Sequence, residues 1–246
     1  MLVRIRADLH VHTCLSPCGE LQMSPLKITA EARRRNIGMV AICDHNSAQN
    51  VSAVIRAAKS TGVVVLPGME VCTKEEIHVL GIFEHAESAF ALQSMVYDHL
   101  PGKNNPDVFG LQVVASEFDE VLDLQERLLI GACELPVDRV VDEIHRLGGV
   151  AIASHVDRES YSVFSQLGFI PPTVRFDALE LTSHIRNDEA RIRYASAGDV
   201  AFVRSSDAHQ VGDLGQNASE YLLETPTFKE IRKALKREDG RKVCES

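Results

Sequence analysis

Three observations predict an α/β fold for this chain, either a barrel or an open sheet. Short apolar runs recur along its whole length, separated by segments of helical periodicity. Most runs are apolar at consecutive positions, which marks strands covered on both faces. The histidines and carboxylates that could hold a ligand fall at or just after the carboxyl ends of those runs, where such folds gather their ligands. A length of 246 residues with 45% hydrophobic content suits one domain of this kind without requiring a split.

The first strand ends in His10 and His12, which share a face because alternate strand residues point the same way. A loop over residues 13–20 follows, and Ser24-Pro25 starts a helix that ends near Asn36 and Gly38. Residues 39–43 form a buried strand running into Asp44-His45-Asn46, and residues 51–60 form a helix. The strand at 62–66 leads through Pro67-Gly68-Met69 to Glu70, and a further strand at 76–83 carries His78. This alternation predicts parallel pairing through right-handed crossovers.

Residues 86–134 read as an insertion or lid, with a helix over 88–99, a turn-rich loop at 100–106 and a short strand at 113–115. An amphipathic helix over 136–147 resumes the pattern and is stopped by Gly148-Gly149. The strand at 150–153 delivers Ser154-His155, and residues 161–167 form a short helix. The strand at 178–181 is followed by His184, residues 187–197 are helical, and the strand at 200–203 leads into Ser205-Ser206-Asp207-Ala208-His209. A strand at 221–223 and a basic, solvated helix over 227–237 complete a single domain over residues 1–246.

Lysine and arginine number 26 against 35 acidic residues, a net charge of -9. That balance argues against an extended duplex nucleic acid as partner, which needs clustered basic residues. Aromatic content of 5% with no Trp argues against base-stacking platforms. A small phosphorylated substrate held by metal ions remains compatible with the charge. No apolar run reaches the ~20 residues of a membrane helix, and Met1 to Arg6 lacks the apolar core of a secretory signal. The six cysteines include no C-x-x-C pair, so free thiols in a reducing cytoplasm are expected and no membrane partner is.

His10, His12, His45, Glu70, His78, His155, Asp207 and His209 are more donors than one ion needs. Zinc or manganese takes about four to six imidazole and carboxylate ligands, so two or three divalent ions (zinc, iron or manganese) are expected, bridged by Glu70. Such a site makes a metal-activated hydroxide available at neutral pH and clamps the attacking and leaving oxygens of a phosphoryl group. No glycine-rich phosphate loop and no Ser-His-Asp arrangement competes for the chemistry. His85, His99 and His145 fall on loops or helices and read as ordinary surface or core residues. Asp44 either orients a ligand histidine or caps the following helix.

The order of these motifs resembles that of the PHP family, the polymerase and histidinol phosphatase metal-dependent phosphoesterases. Asp8-Leu9-His10-Val11-His12, Cys43-Asp44-His45-Asn46, Pro67-Gly68-Met69-Glu70, Ile77-His78-Val79-Leu80-Gly81, Ala153-Ser154-His155 and Ser206-Asp207-Ala208-His209 carry the resemblance across nearly the whole chain. It implies a distorted (β/α)7 barrel, TIM-barrel-like, with up to three metal ions. His10, His12, Glu70 and Asp207 would hold the first ion, and Glu70 would bridge to a second completed by His78 and His155. His45 and His209 would contribute to a third. The Asp that the family usually places before a Gly in the first loop is Cys18 here, within Ser16-Pro17-Cys18-Gly19. A thiolate there would favour zinc or iron. The alternatives are that Glu20 fills the position or that Cys18 is a bystander. Cys14 reads as packing or support for a ligand.

Arg158 resembles the arginine of the His-Pro-x-Arg turn in nucleotide-active members and would hold a substrate phosphate, with Arg204 a second candidate. A surface salt bridge to Asp157 or Glu159 is the plainer reading of Arg158. His184 and Asp207 are the candidates for protonating the leaving group. The expected activity is hydrolysis of a phosphomonoester or phosphodiester, a nucleotide among the candidate substrates. Two other readings stand beside it. An amidohydrolase also opens with His-x-His, but it leaves Asp207-x-His209 and the pair Glu70 and His78 unexplained, and no lysine at a strand end offers its carboxylated bridge. A non-catalytic metal-binding regulatory module is the other.

Overall fold

The computed structural model describes residues 1–244. The first half contains β1 (Val3–Val11), α1 (Pro25–Arg34), β2 (Met39–Ile42), α2 (Val51–Ala57), β3 (Val64–Cys72) and β4 (His78–Ile82). The middle holds α3 (Ala86–Tyr97), α4 (Pro106–Phe109), β5 (Val113–Ala115), β6 (Val121–Leu124) and α5 (Val137–Arg146). The remainder is β7 (Val150–Ala153), α6 (Val163–Leu167), β8 (Ala178–Leu181), α7 (Asn187–Arg193), β9 (Ala201–Arg204), β10 (Ser219–Leu223), α8 (Phe228–Leu235) and β11 (Lys242–Val243).

Nine strands form one sheet in the order β11-β10-β1-β2-β3-β4-β7-β8-β9. It curls until β11 approaches β9, giving a nearly closed, distorted (β/α) barrel. Strands β1, β2 and β3 pair in parallel, as do β7, β8 and β9. Between these sets β4 is antiparallel to both neighbours, which corrects the expectation of uniform parallel pairing. Only residues 73–77 join β3 to β4, too few for a crossover, so the chain must turn back. The reversal matters because it brings the first residue of β4, His78, to the rim where the parallel strands end.

The consecutive apolar residues divide between two faces. Ala7, Leu9, Met39, Ala41, Leu80 and Ile152 fill the barrel interior, while Val40, Ile42, Val79, Ala151 and Leu179 pack outward against the helices. Helix α8 is not simply a solvated face: Phe228, Ile231, Ala234 and Leu235 join the interior cluster. Gly68 is required on β3, since a Cβ there would lie 2.7 Å from Cys43 Sγ and 3.1 Å from the Gly81 carbonyl oxygen. Among the described residues, no helix is long and apolar enough to cross a membrane.

Residues 86–134 carry α3 and a separate β5–β6 hairpin, of which sequence reading found only the first strand. Buried Asn50 ties the hairpin to the barrel by donating to the Val113 carbonyl and accepting from the Ala115 N–H. Asn46 donates to the carbonyls of Leu129 and Gly131, which sets Ile130 over the rim.

Candidate metal centre

His10 and His12 leave the end of β1 with their rings turned to one point, their Nε2 atoms 3.1 Å apart. Two hydrogen bonds fix the tautomers that allow this. His10 Nδ1–H donates to Glu180 Oε2 at 3.0 Å, and His12 Nδ1–H donates to Ser16 Oγ at 2.9 Å. Both Nε2 lone pairs therefore face inward, as ligand imidazoles require. His209 behaves alike, with Nδ1–H donating to the Asp207 carbonyl at 2.8 Å.

Glu70, on β3, lies at the centre and is 1% exposed. Five imidazoles surround its carboxylate: His45 and His78 at 3.0 Å, His10 at 3.3 Å, and His12 and His155 at 3.5 Å. None of these contacts satisfies hydrogen-bond geometry, so both Glu70 oxygens and His78 Nδ1 are buried without a partner. His155 Nδ1, on the ring that meets Glu70 through Nε2, is also buried and unpaired. Orphaned donors and acceptors cost about 1–3 kcal/mol each, more when charged. Two atoms each about 2.1 Å from a shared ion are separated by distances of this order. The residues present therefore fit divalent cations.

Among the described residues, three groups have donor atoms close enough to share an ion: His10, His12 and Glu70; His45, Glu70 and His78; and His12, His45 and His209. Glu70 bridges the first two groups, while His12 and His45 each serve two. This places His45 against Glu70 as well as beside His209. Asp207 Oδ1 lies 3.1 Å from His12 Nε2 and 3.3 Å from His10 Nε2. His155 approaches Glu70 from the end of β7.

The charges of the cluster are divided. Burial works against the charged imidazoles, yet Glu180 and Glu70 raise His10 well above its ordinary value, Glu70 and Cys18 raise His45 to about 10, and Cys18 raises His209. Cation binding must displace those protons. Burial alone would raise the Glu70 carboxyl, but His78, His10 and His45 hold it well below the usual range. Burial likewise works against ionised Asp207, and His10 and His12 outweigh it. Burial, with His209 and His45 nearby, pushes the His12 imidazole well below its ordinary value. Cys18 is exposed and belongs to none of the three groups, although nearby His209 and His45 outweigh desolvation and lower its thiol to about 7. The side chain of Glu20 is exposed and belongs to none of the three groups.

Arg158 reaches from the loop after β7 and pairs through Nη1 with Asp207 Oδ2 at 2.7 Å, not with Asp157 or Glu159. Arg204 donates to the carbonyls of Thr182 and Ile185 and to Asn187 Oδ1, bracing the loop that carries exposed His184. His184 lines the same chamber as His155, Arg158 and Asp207. Cys14 is buried against Val113 and Ala115. His145 pairs with Asp177 away from this rim, and His85 and His99 are exposed.

Several supporting residues escaped sequence reading. Glu180 accepts from His10 and from the His155 N–H, and its only signal was a lone charge in an apolar strand. Asp8 holds the loop before Asp207 by accepting from the Ser206 N–H and hydroxyl and from the Gly215 N–H. Asp44, by contrast, is among the sequence candidates for orienting a ligand histidine: it accepts from the Ser16 hydroxyl that orients His12, and from the Thr13 N–H and hydroxyl. Tyr161 stacks on His78 with ring centroids 4.7 Å apart. His155 and Asp207 adopt positive φ values of 29° and 50°, conformations that non-glycine residues hold at a cost and that cluster at functional sites.

Comparisons with known proteins agree with this geometry. A 5'-3' exoribonuclease of Haemophilus influenzae is 30% identical over 188 residues, covering 60% of this chain and 68% of that protein. The lesion-specific endonuclease Q of Pyrococcus furiosus superposes with a TM-score of 0.79 at 20% identity over 98% of this chain. A structure of endonuclease Q with a 27-mer duplex bearing an abasic lesion at the active site superposes with a TM-score of 0.75 at 19% identity. This chain spans 58% of each endonuclease Q chain.

The exclusion of duplex nucleic acid from net charge does not survive this comparison, because the same fold is seen with a duplex at its active site. Net charge sums the whole surface and does not report the local field at one rim, where the donor clusters and Arg158 gather. The histidine and glutamate clusters support a di- or trinuclear divalent-metal site, and metal-dependent phosphoester hydrolysis is the chemistry consistent with it. The PHP domain model matches residues 8–222, and the chain belongs to the PHP domain family.

Proposed function

We propose that this protein is a metal-dependent phosphoesterase acting on a nucleotide, either free or within a nucleic-acid chain, duplex included. The observation that carries the reading is Glu70, a buried carboxylate ringed by five imidazoles with no hydrogen bond to satisfy it. Similarity to the Haemophilus influenzae exoribonuclease supports the nucleotide assignment.

His10, His12, Glu70 and Asp207 would hold one ion, Glu70 with His78 and His155 a second, and His45, His209 and Cys18 a third. Bound there, divalent ions would lower the pKa of water and neutralise charge on the phosphoryl oxygens. Arg158 binds the phosphate through its guanidinium, exchanging its present partner, Asp207 Oδ2, for a phosphate oxygen. That exchange frees Oδ2 to take a proton from the attacking water. His184, on the chamber wall, returns a proton to the leaving oxygen through a ring nitrogen. Ile130 and Tyr161 line the cavity over the donor cluster. The six unpaired thiols support a reducing, cytoplasmic setting.

The test combines metal analysis of purified protein with a panel of nucleotides, single-stranded RNA and duplex DNA. Copurifying zinc, iron or manganese and hydrolysis lost in His10→Ala and Asp207→Ala are expected. A folded, metal-replete protein that releases nothing from the panel refutes the proposal.

A further inference from the structure

Arg158 and Asp207 stand between two cavities. One, of about 160 Å³, lies over the donor cluster, and the other, of about 260 Å³, extends away from it; both are bounded by His155, Arg158 and Asp207. A phosphate held by Arg158 would thus face the donors on one side and the larger chamber on the other. What the chamber accepts is whatever the phosphate is attached to.

Its walls are polar. Ser205 borders the chamber and is 5% exposed, and its buried Oγ has no hydrogen-bond partner. Asn217 donates its amide to the carbonyls of Leu181 and Ser205, which leaves the side-chain carbonyl as its acceptor for a ligand. Gln216, Asp213 and His184 add further polar groups, and among the described residues the imidazoles of His155 and His184 are the only aromatic rings on the wall. A buried, unpartnered hydroxyl beside a fixed amide is built for a ligand that hydrogen-bonds, not for an apolar one. The carboxylate of Asp213 favours a neutral group rich in donors. The volume is smaller than the roughly 300–1,000 Å³ of drug-sized sites and suits one nucleoside.

We propose that the chamber bounded by Ser205, Gln216 and Asn217 is a subsite for one nucleoside, the sugar and base attached to the phosphate at Arg158. The proposal rests on the phosphoesterase reading and narrows its substrate. Base recognition is by hydrogen bonds to the base edge, with stacking limited to the imidazoles. Within a polynucleotide, a nucleotide must be terminal or drawn out of its stack to enter.

Titration of the metal-loaded full chain with adenosine, uridine and ribose, each in the presence of inorganic phosphate, tests this without needing turnover. At least one nucleoside is expected to bind about tenfold or more tightly than ribose, because a site with polar groups awaiting partners discriminates against a ligand that lacks them. Ser205→Val, which removes the hydroxyl and adds bulk, and the exposed Gln216→Ala should each reduce that preference severalfold. Equal binding of nucleosides and ribose, no binding of either, or a preference unchanged in both variants overturns the subsite. Nucleoside binding that persists while the phosphoester panel stays unhydrolysed would instead sink only the catalytic reading.

Discussion

Asp44 and Glu70 are both buried carboxylates at the same rim, and they are treated in opposite ways. Asp44 accepts three hydrogen bonds, at 2.7 Å from the Thr13 N–H, 2.8 Å from the Thr13 hydroxyl and 2.7 Å from the Ser16 hydroxyl. Asp8 is similarly saturated by Ser206 and Gly215. Glu70 has five imidazoles within 3.5 Å and no hydrogen bond. The difference separates two jobs. A buried polar group that serves the fold is satisfied by the fold, whereas one that serves a ligand is left incomplete until the ligand arrives.

Replacing Glu70 should give the largest effect and the sharpest test. Glu70→Gln removes the bridging charge, so metal content should fall by at least one ion and hydrolysis by about three orders of magnitude. Without metal the variant should lose little stability, because the cost of a buried charge without a hydrogen bond offsets the attraction of His78, His10 and His45 that keeps Glu70 ionised. Thermal melts with and without chelator, beside elemental analysis, check both halves. Marked destabilisation of the metal-free variant would mean that Glu70 serves the fold after all.

Asp44→Ala should behave the other way. It orphans three donors and releases the loop that orients His12, at a cost of about 3 kcal/mol whether or not metal is present. Denaturant titration of chelated and metal-loaded protein reads this directly. A loss confined to the metal-loaded form would erase the distinction between the two carboxylates.

This distinction also explains how much was legible in the sequence. The donor residues could be read because strand ends and residue type announce them: His10, His12 and Glu70 follow apolar runs, and their chemistry is specific. Most strands were legible for the same reason, burial on both faces. The reversal of β4 was not, because an apolar strand carries no direction; only the five-residue connection from Cys72 to His78 hinted at it. Nor was the division of labour among carboxylates. Asp44 could be read as support for a ligand histidine, but Asp8 and Glu180 look no different from ligands in one dimension, and their partners lie far away in sequence. Strand β6 was missed because all four of its residues are exposed, so it leaves no buried pattern.

Glu180 lies between the two extremes. It accepts from His10 Nδ1–H and from the His155 N–H, so it completes the fold and orients a ligand at once. Glu180→Gln retains an acceptor but loses the charge that complements the imidazole. Metal affinity should fall by about 10–100-fold, with little change in the folded structure. Competition with a chelator of known affinity measures it, and an unchanged affinity would remove Glu180 from the site.

The smallest effect is expected where an imidazole and a carboxylate meet as an ordinary pair. His145 Nε2 lies 2.9 Å from Asp177 Oδ2 in good hydrogen-bond geometry, at the surface and away from the rim. The hydrogen bond to Asp177 raises the His145 pKa, outweighing the lowering by burial. A folded pKa above the unfolded value of about 6.5 means that the contribution is fully present below that pH. It is lost as pH rises through the higher folded value. With the imidazole 34% exposed, solvent screening limits it to about 0.5 kcal/mol. His145→Ala should therefore lose stability relative to wild type at pH 5.5 and lose less at pH 8.5, with chelator making no difference at either pH. A proton satisfies this pair; if chelator did alter the difference, surface and centre could not be as independent as their hydrogen bonds imply.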